Sequence, residues 1–151
     1  NQLVIDFGIF DNLDLDFDTL GELLKLQKTI QTAVYGVDFA EVQQTLGSLK
    51  SFINDQDEAI RDEFRELASA VGGEAFGSAV WKKWKKDHKR AQATPFSSMS
   101  ESDLLELQYE LIDILHFVFN IAIAIKLDSR KIYAMYHAKN KENIDRQKRG
   151  Y

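Results

Sequence analysis

The sequence contains no cysteine. That excludes a disulfide framework, a thiolate metal site and a cysteine nucleophile, and it suits a reducing compartment such as the cytoplasm. Proline occurs once, at Pro95, and only eight of 151 residues are glycine, so long uninterrupted segments are expected. No window of eighteen uncharged apolar residues exists. The best run, Leu111 to Ile125, is interrupted by Asp113 and is too short to cross a bilayer, so no membrane partner is expected. The first residues lack a basic n-region, so no secretory leader is predicted; the chain starts at Asn1 rather than Met, which leaves a trimmed N-terminus open. Internal repeats and low-complexity segments are absent as well. The net charge of −5 argues against nucleic-acid binding by bulk charge, and no direct contact with nucleic acid is expected.

What is present fits one globular domain spanning residues 1–151, with 44% hydrophobic and 28% charged residues. The basic residues are unevenly placed: fourteen of the nineteen lie in 81–90 and 126–149. Residues 1–18 are apolar and acidic without helical period and read as an irregular arm. Asp18 is placed to cap a helix from Thr19 to about Tyr35, with Leu20, Leu23, Leu24, Leu26, Ile30 and Val34 on its apolar face and Gly36 ending it. A second helix is predicted from about Phe39 to Ala70, its stripe being Ile53, Ile60, Phe64, Leu67 and Val71, stopped by Gly72 and Gly73. "EAFGSAVWKKWKKDHKR" reads as a short basic third helix and "AQATPFSSMS" as a loop. Ser100 and Asp103 form an aspartate variant of the capping box, opening a helix that reaches about Ile125. A last helix starts near Asp128 or Ser129 and runs into a basic tail. The fold class is all-α, a helical bundle of four to five main helices.

The candidate site comes from carboxylates. Residues three apart share a helix face, so Glu110 and Asp113 project side by side from an otherwise apolar helix. A carboxylate there must be paired, protonated or metal-bound, and pairing with Lys or Arg of another helix would satisfy it. Glu63 and Glu66, with Asp62 beside them, repeat the same spacing on the second helix. Four converging carboxylates suit a hard cation, Mg²⁺ or Mn²⁺, which accepts waters and substrate phosphates alongside protein oxygens. The lysine-rich segments then offer charge for distal phosphates. Asp113-x-x-His116 is a single acid–histidine pair, short of the two Glu-x-x-His pairs of a ferritin-like di-iron site. His116 reads as a packing residue, and His88 and His137 as surface.

In order along the chain, "DEFRE", "WKKWK", "ELIDILHFVFN" and "KNKENIDRQKRGY" resemble the all-α dimeric dUTPases, within the MazG-like nucleoside triphosphate pyrophosphohydrolases. The likeness covers roughly residues 19 to 151; Asp62 stands where the first motif has Glu. It implies Mg²⁺-dependent hydrolysis of dUTP to dUMP and pyrophosphate, with dCTP, a purine deoxynucleotide or a damaged base as alternative substrates. It implies metal ligation by Glu63, Glu66, Glu110 and Asp113, with one glutamate of the first pair, Glu66 ahead of Glu63, activating the attacking water. It places Lys82, Lys85, Lys139, Asn143 and Arg146 on the phosphate side. Trp81 and Trp84 are candidates to cover the base, Phe117 and Asn120 to face the deoxyribose, and Gln27 to read the base; Gln31 stands where the family pattern has Asn. A homodimer is implied, with a tetramer as the other assembly of the family.

Overall fold

A computed structural model describes residues 18–150. The arm expected over 1–18 lies outside the described residues except for Asp18. Among the described residues every regular element is helical. The order is α1 (Thr19–Ala33), α2 (Phe39–Val42), α3 (Leu46–Ala70), α4 (Gly73–Phe76), a 3-10 turn over Gly77–Val80, α5 (His88–Ala93), a second 3-10 turn over Phe96–Ser98, α6 (Glu101–Ala124) and α7 (Ser129–Arg149). The four long helices, α1, α3, α6 and α7, are the all-α architecture expected from the periodicity.

The chain divides into two compact units. One is built on Lys50–Val118, and the other gathers residues 18–49 and 119–150. In the first, Ala79, Ala91, Leu105 and Ile114 are the buried apolar positions. In the second, Leu24, Phe39, Ala122 and Ala124 fill that place, joined by two buried amides. Gln27 Nε2 donates to Asn120 Oδ1 at 2.7 Å, and Asn120 is only 1% exposed. The Gln43 Nε2 donates to the carbonyl of Ala124 at 2.9 Å, occupying a carbonyl that the end of α6 leaves without a helical partner.

Capping explains where the long helices begin. Asp18 accepts the Gly21 N–H at 2.9 Å and also the hydroxyl of Ser129, and these bonds, the hydroxyl first, hold its carboxyl below the usual range. Asp128, rather than Ser129, caps α7 by accepting Lys131 N–H at 2.8 Å. At α6 the Asp103 N–H donates to Ser100 Oγ at 3.1 Å, as the capping spacing predicts.

Three expectations are corrected. The helix expected over 39–70 is broken between Val42 and Leu46, because Thr45 and Ser48 start a new helix with a reciprocal cap: Ser48 N–H to Thr45 Oγ1 at 2.9 Å, Thr45 N–H to Ser48 Oγ at 3.1 Å. The basic third helix does not form as one piece. Gly77 turns the chain at φ 48° and residues 81–87 are irregular, since a run of lysines and tryptophans supplies no apolar stripe to bury. His88, expected at the surface, is half-buried, with Nδ1 2.8 Å from the carbonyl oxygen of Ala79.

Much of the expected core is uncovered. The stripe of α1 and its C-cap, Leu23, Leu26, Ile30 and Val34, is 41–68% exposed, and Leu111, Ile112 and Val118 of α6, with Ile125 just after it, are 42–49% exposed. Helix α6 is also long and apolar enough, by length and composition, to cross a membrane, with mean hydropathy 1.4 over its best eighteen residues. That differs from the expectation drawn from uncharged windows. Core helices share this property, and α6 carries Asp113 and a buried, amide-bonded Asn120 within its length.

Truncating one member of the amide pair strands the other away from water. Asn120→Ala should therefore lower unfolding free energy by about 1–3 kcal/mol, read from chemical denaturation of the variant against the parent chain.

Candidate metal centre

Three carboxylates converge in the unit Lys50–Val118. One oxygen each from Glu63, Glu110 and Asp113 lies within 4.8 Å of the other two, and all three residues are half-buried. Glu63 comes from the middle of α3, Glu110 and Asp113 from the middle of α6. The i, i+3 spacing aligns the α6 pair on one face. Glu63 Oε2 and Glu110 Oε2 are buried with no hydrogen-bond donor. No described lysine or arginine makes an ion pair with any of the three, so pairing with a basic side chain does not satisfy them.

The fourth carboxylate of the expected set, Glu66, is exposed and stands beside the cluster. Burial foremost, then the charges of Glu66, Asp113 and Glu110, push the Glu63 carboxyl up to about 7. Burial foremost, then Glu66, Asp113 and Glu106, also raise Glu110. Burial and like charge both disfavour the ionised form. Donorless buried oxygens, mutual repulsion and an all-oxygen donor set fit a hard divalent cation, which would replace the missing hydrogen bonds and offset the charge.

Beside the cluster opens a cavity of about 710 Å³, whose wall includes Glu66, Glu106, Glu110, Arg65 and Ser69. Ser69 lies one turn beyond Glu66, and its Oγ accepts the indole N–H of Trp81 at 3.1 Å. That bond ties the lysine–tryptophan segment to the cavity wall. Lys82 Nζ lies 5.0 Å from the Trp81 ring centre, and Trp84, 75% exposed, meets Trp81 edge to face with ring centres 6.4 Å apart. Lys85 is exposed on the same segment, and Phe117 is half-buried on α6.

The remaining expected site residues belong to the second unit. Gln27 and Asn120 are buried and bonded to one another. Lys139, Asn143 and Arg146 are exposed on α7, where Arg146 Nε is held by Glu142 at 3.1 Å. His116 is exposed, and His137 packs on Tyr133 with ring centres 4.4 Å apart.

Sequence reasoning missed Ser69, Gly73 and Asp103. Asp103 and Glu106 lie seven and four residues before Glu110, so helical spacing puts them on the Glu110 face, a signal that was present. Gly73 could be found only through its approach to Asp103, which also accepts the N–H of the next residue, Glu74, across 29 residues at 3.2 Å.

Comparison with known proteins places these residues in context. The chain is 37% identical over 150 residues to the dCTP pyrophosphatase of Enterobacteria phage T4, covering 94% of this chain and 88% of that protein. It is 36% identical over 151 residues to the dCTP pyrophosphatase of Enterobacteria phage LZ5, covering 93% and 87% respectively. A DNA replication protein of phage T4 is 36% identical over 144 residues, covering 90% of this chain and 37% of that longer protein. No family model and no solved structure matches the chain.

The sign of the pH dependence follows from the raised carboxyls. Between its ordinary value of 4.5 and about 7, Glu63 binds more proton in the folded than in the unfolded chain, so stability falls as pH rises through that window. The metal-free protein should melt at a higher temperature at pH 5 than at pH 8. Mg²⁺ or Mn²⁺ should raise the melting temperature more at pH 8, where the cluster is ionised. Glu63→Gln should stabilise the metal-free chain at pH 8 and shrink the cation-induced shift, both measured by thermal denaturation.

Proposed function

Because this chain belongs to the family of the phage dCTP pyrophosphatases and is a nucleoside triphosphate pyrophosphohydrolase, we propose that it hydrolyses dCTP to dCMP and pyrophosphate with a divalent cation, Mg²⁺ first, held by Glu63, Glu110 and Asp113. The observation that carries the metal assignment is the convergence of three half-buried carboxylates, two with donorless oxygens. The substrate is taken from the names of two relatives that span nearly the whole chain. Resemblance to the dUTPases implied dUTP, with dCTP as the alternative; the relatives favour the alternative.

The bound cation would supply polarisation of the phosphates and neutralise charge as it builds on the leaving pyrophosphate. The chain's own residues do the rest. Glu66, exposed on the cavity wall and flanked by like charge, orients the attacking water and takes its proton. The water oxygen bonds to the α-phosphorus, and the bond from that phosphorus to the α–β bridging oxygen breaks, releasing pyrophosphate. Glu63 stays a ligand. Such transfers depend on positioning and charge stabilisation, so a chain without cysteine loses nothing. Lys82 and Lys85, on the segment tied to the cavity through Trp81 and Ser69, are assigned to the β- and γ-phosphates. Lys139, Asn143 and Arg146 stand as further phosphate-side residues on α7.

The uncovered stripe of α1 is assigned to a second copy of the chain. Leu23, Leu26, Ile30 and Val34 follow helical spacing and form one apolar face.

Pyrophosphate release measured over dCTP, dUTP, dTTP, dATP, dGTP and CTP tests the function. Mg²⁺-dependent turnover highest on dCTP is the expected result; turnover highest on dUTP would restore the uracil reading. Glu66→Gln should lower kcat by roughly 10²–10⁴-fold while leaving melting close to the parent. For the assembly, Leu26→Lys with Ile30→Lys should convert a dimer to a monomer in light scattering, and a parent chain already monomeric would reject the assignment.

A further inference from the structure

Helix α1 has two unlike sides. Leu23, Leu26, Ile30 and Val34 follow one stripe, whereas Gly21, Leu24, Lys25 and Lys28 recur at i, i+3, i+4 and i+7 on the opposite side. That second side walls a cavity of about 630 Å³ within the unit formed by residues 18–49 and 119–150. Its other walls are α2, the end of α6 and the turn into α7. None of the residues assigned above to metal, phosphate, base or sugar lines it. A second copy seated on the apolar stripe would meet the other side of α1.

The lining is apolar at its floor and cationic at its rim. Leu24 and Phe39 are buried, with Ile123 and Leu127 half-buried beside them. Lys25, Lys28 and Lys126 are exposed around this floor. No described acid makes an ion pair with any of the three. Asp128, the one acid in the lining, accepts the Lys131 N–H at 2.8 Å, and Asp18 accepts the Gly21 N–H and the Ser129 hydroxyl. Both carboxylates are thus engaged in capping. The bond from Gln43 Nε2 to the Ala124 carbonyl fixes α2 against the end of α6, so this wall is already formed.

Lys126 is the informative member of the rim. Its φ of 62° lies in the left-handed region, and among the described residues no other non-glycine has a positive φ. It ends α6 with paired bonds: its own N–H donates to the Ile123 carbonyl at 3.1 Å, and the Leu127 N–H to the Ala122 carbonyl at 2.8 Å. Glycine is the usual residue at that place, because a Cβ is disfavoured in this conformation. A lysine there gives up backbone ease and sets a cation on the cavity rim. Residues held in such conformations cluster at ligand clamps and other functional sites.

We propose that this cavity binds a small phosphate monoester, its phosphate held by Lys25, Lys28 and Lys126 and its organic body laid on Leu24, Phe39, Ile123 and Leu127. An ammonium is a compact point charge with three donors, suited to a phosphate dianion. Three of them around an apolar floor attract that dianion more strongly than they would in open water. The volume and the mixed lining are those of small-ligand cavities. Inorganic phosphate engages only the rim, so the ester is favoured over it. The proposal does not depend on the pyrophosphohydrolase reading.

Amide NMR titration of the full chain in EDTA, with phenyl phosphate and inorganic phosphate as probes, tests it. Shifts should gather at residues 21–28, 39–43 and 123–129, with phenyl phosphate bound roughly threefold tighter or more. Lys126→Gly should weaken phenyl phosphate binding roughly fivefold or more. It should melt at or above the parent temperature, because glycine relieves the backbone. A variant that binds less yet melts no lower separates a ligand role from a structural one. Should it melt lower, the exposed pair Lys25→Gln with Lys28→Gln decides: weakened binding supports the site and parent-like binding rejects it. Shifts confined to 82–86 and 139–146, equal binding of the two probes, or parent-like binding by Lys126→Gly would each overturn the proposal, as would no saturable binding of either probe. If the chain turns over no nucleotide, the functional reading falls and these outcomes stand unchanged.

Discussion

Repulsion among Glu63, Glu66, Glu110 and Asp113 is the constraint around which the first unit is organised. Water would screen those charges if the helices stood apart, and a lysine would neutralise them. Among the described residues no lysine or arginine pairs with Glu63, Glu110 or Asp113. The chain brings α3 and α6 close enough to put three oxygens within 4.8 Å, and buries two oxygens without donors. Burial and like charge together disfavour the ionised form of Glu63 and Glu110. Two acids one turn apart on an apolar helix are thereby part of a three-carboxylate cluster whose oxygens could hold a cation.

Sequence periodicity made the local part of this legible. Glu63–Glu66 and Glu110–Asp113 are short-range patterns, and 3.6-residue geometry fixes their faces whatever else the fold does. Caps were equally local, as at Asp18, Ser100 and Asp128. What failed was tertiary. Residues 74–90 read as one helix because their composition allowed it, yet without an apolar stripe nothing rewards continuing past Gly77. Asp103 read as a capping residue, and its N–H does take part in the cap, but its side chain accepts the Glu74 N–H across 29 residues. The pairing of Gln27 with Asn120, across 93 residues, was likewise invisible to any local pattern. No window of sequence carries such separations.

The apolar faces teach a related lesson. Leu23, Leu26, Ile30 and Val34 have the spacing of a core stripe, and the spacing does establish a helix face. It does not say which surface covers that face. Periodicity reports amphipathicity, and a partner chain satisfies it as well as the same chain does.

Both tryptophans of the sequence, Trp81 and Trp84, lie in the segment that Ser69 ties to the carboxylate cavity. Indole emission from this protein therefore originates within four residues of one loop, next to the groups that would meet phosphate. Trp81 has its N–H engaged and a lysine over its ring, while Trp84 faces solvent. The two should differ in emission wavelength and in access to a soluble quencher. The molecule thus carries its own optical gauge of that loop, with no background from the second unit.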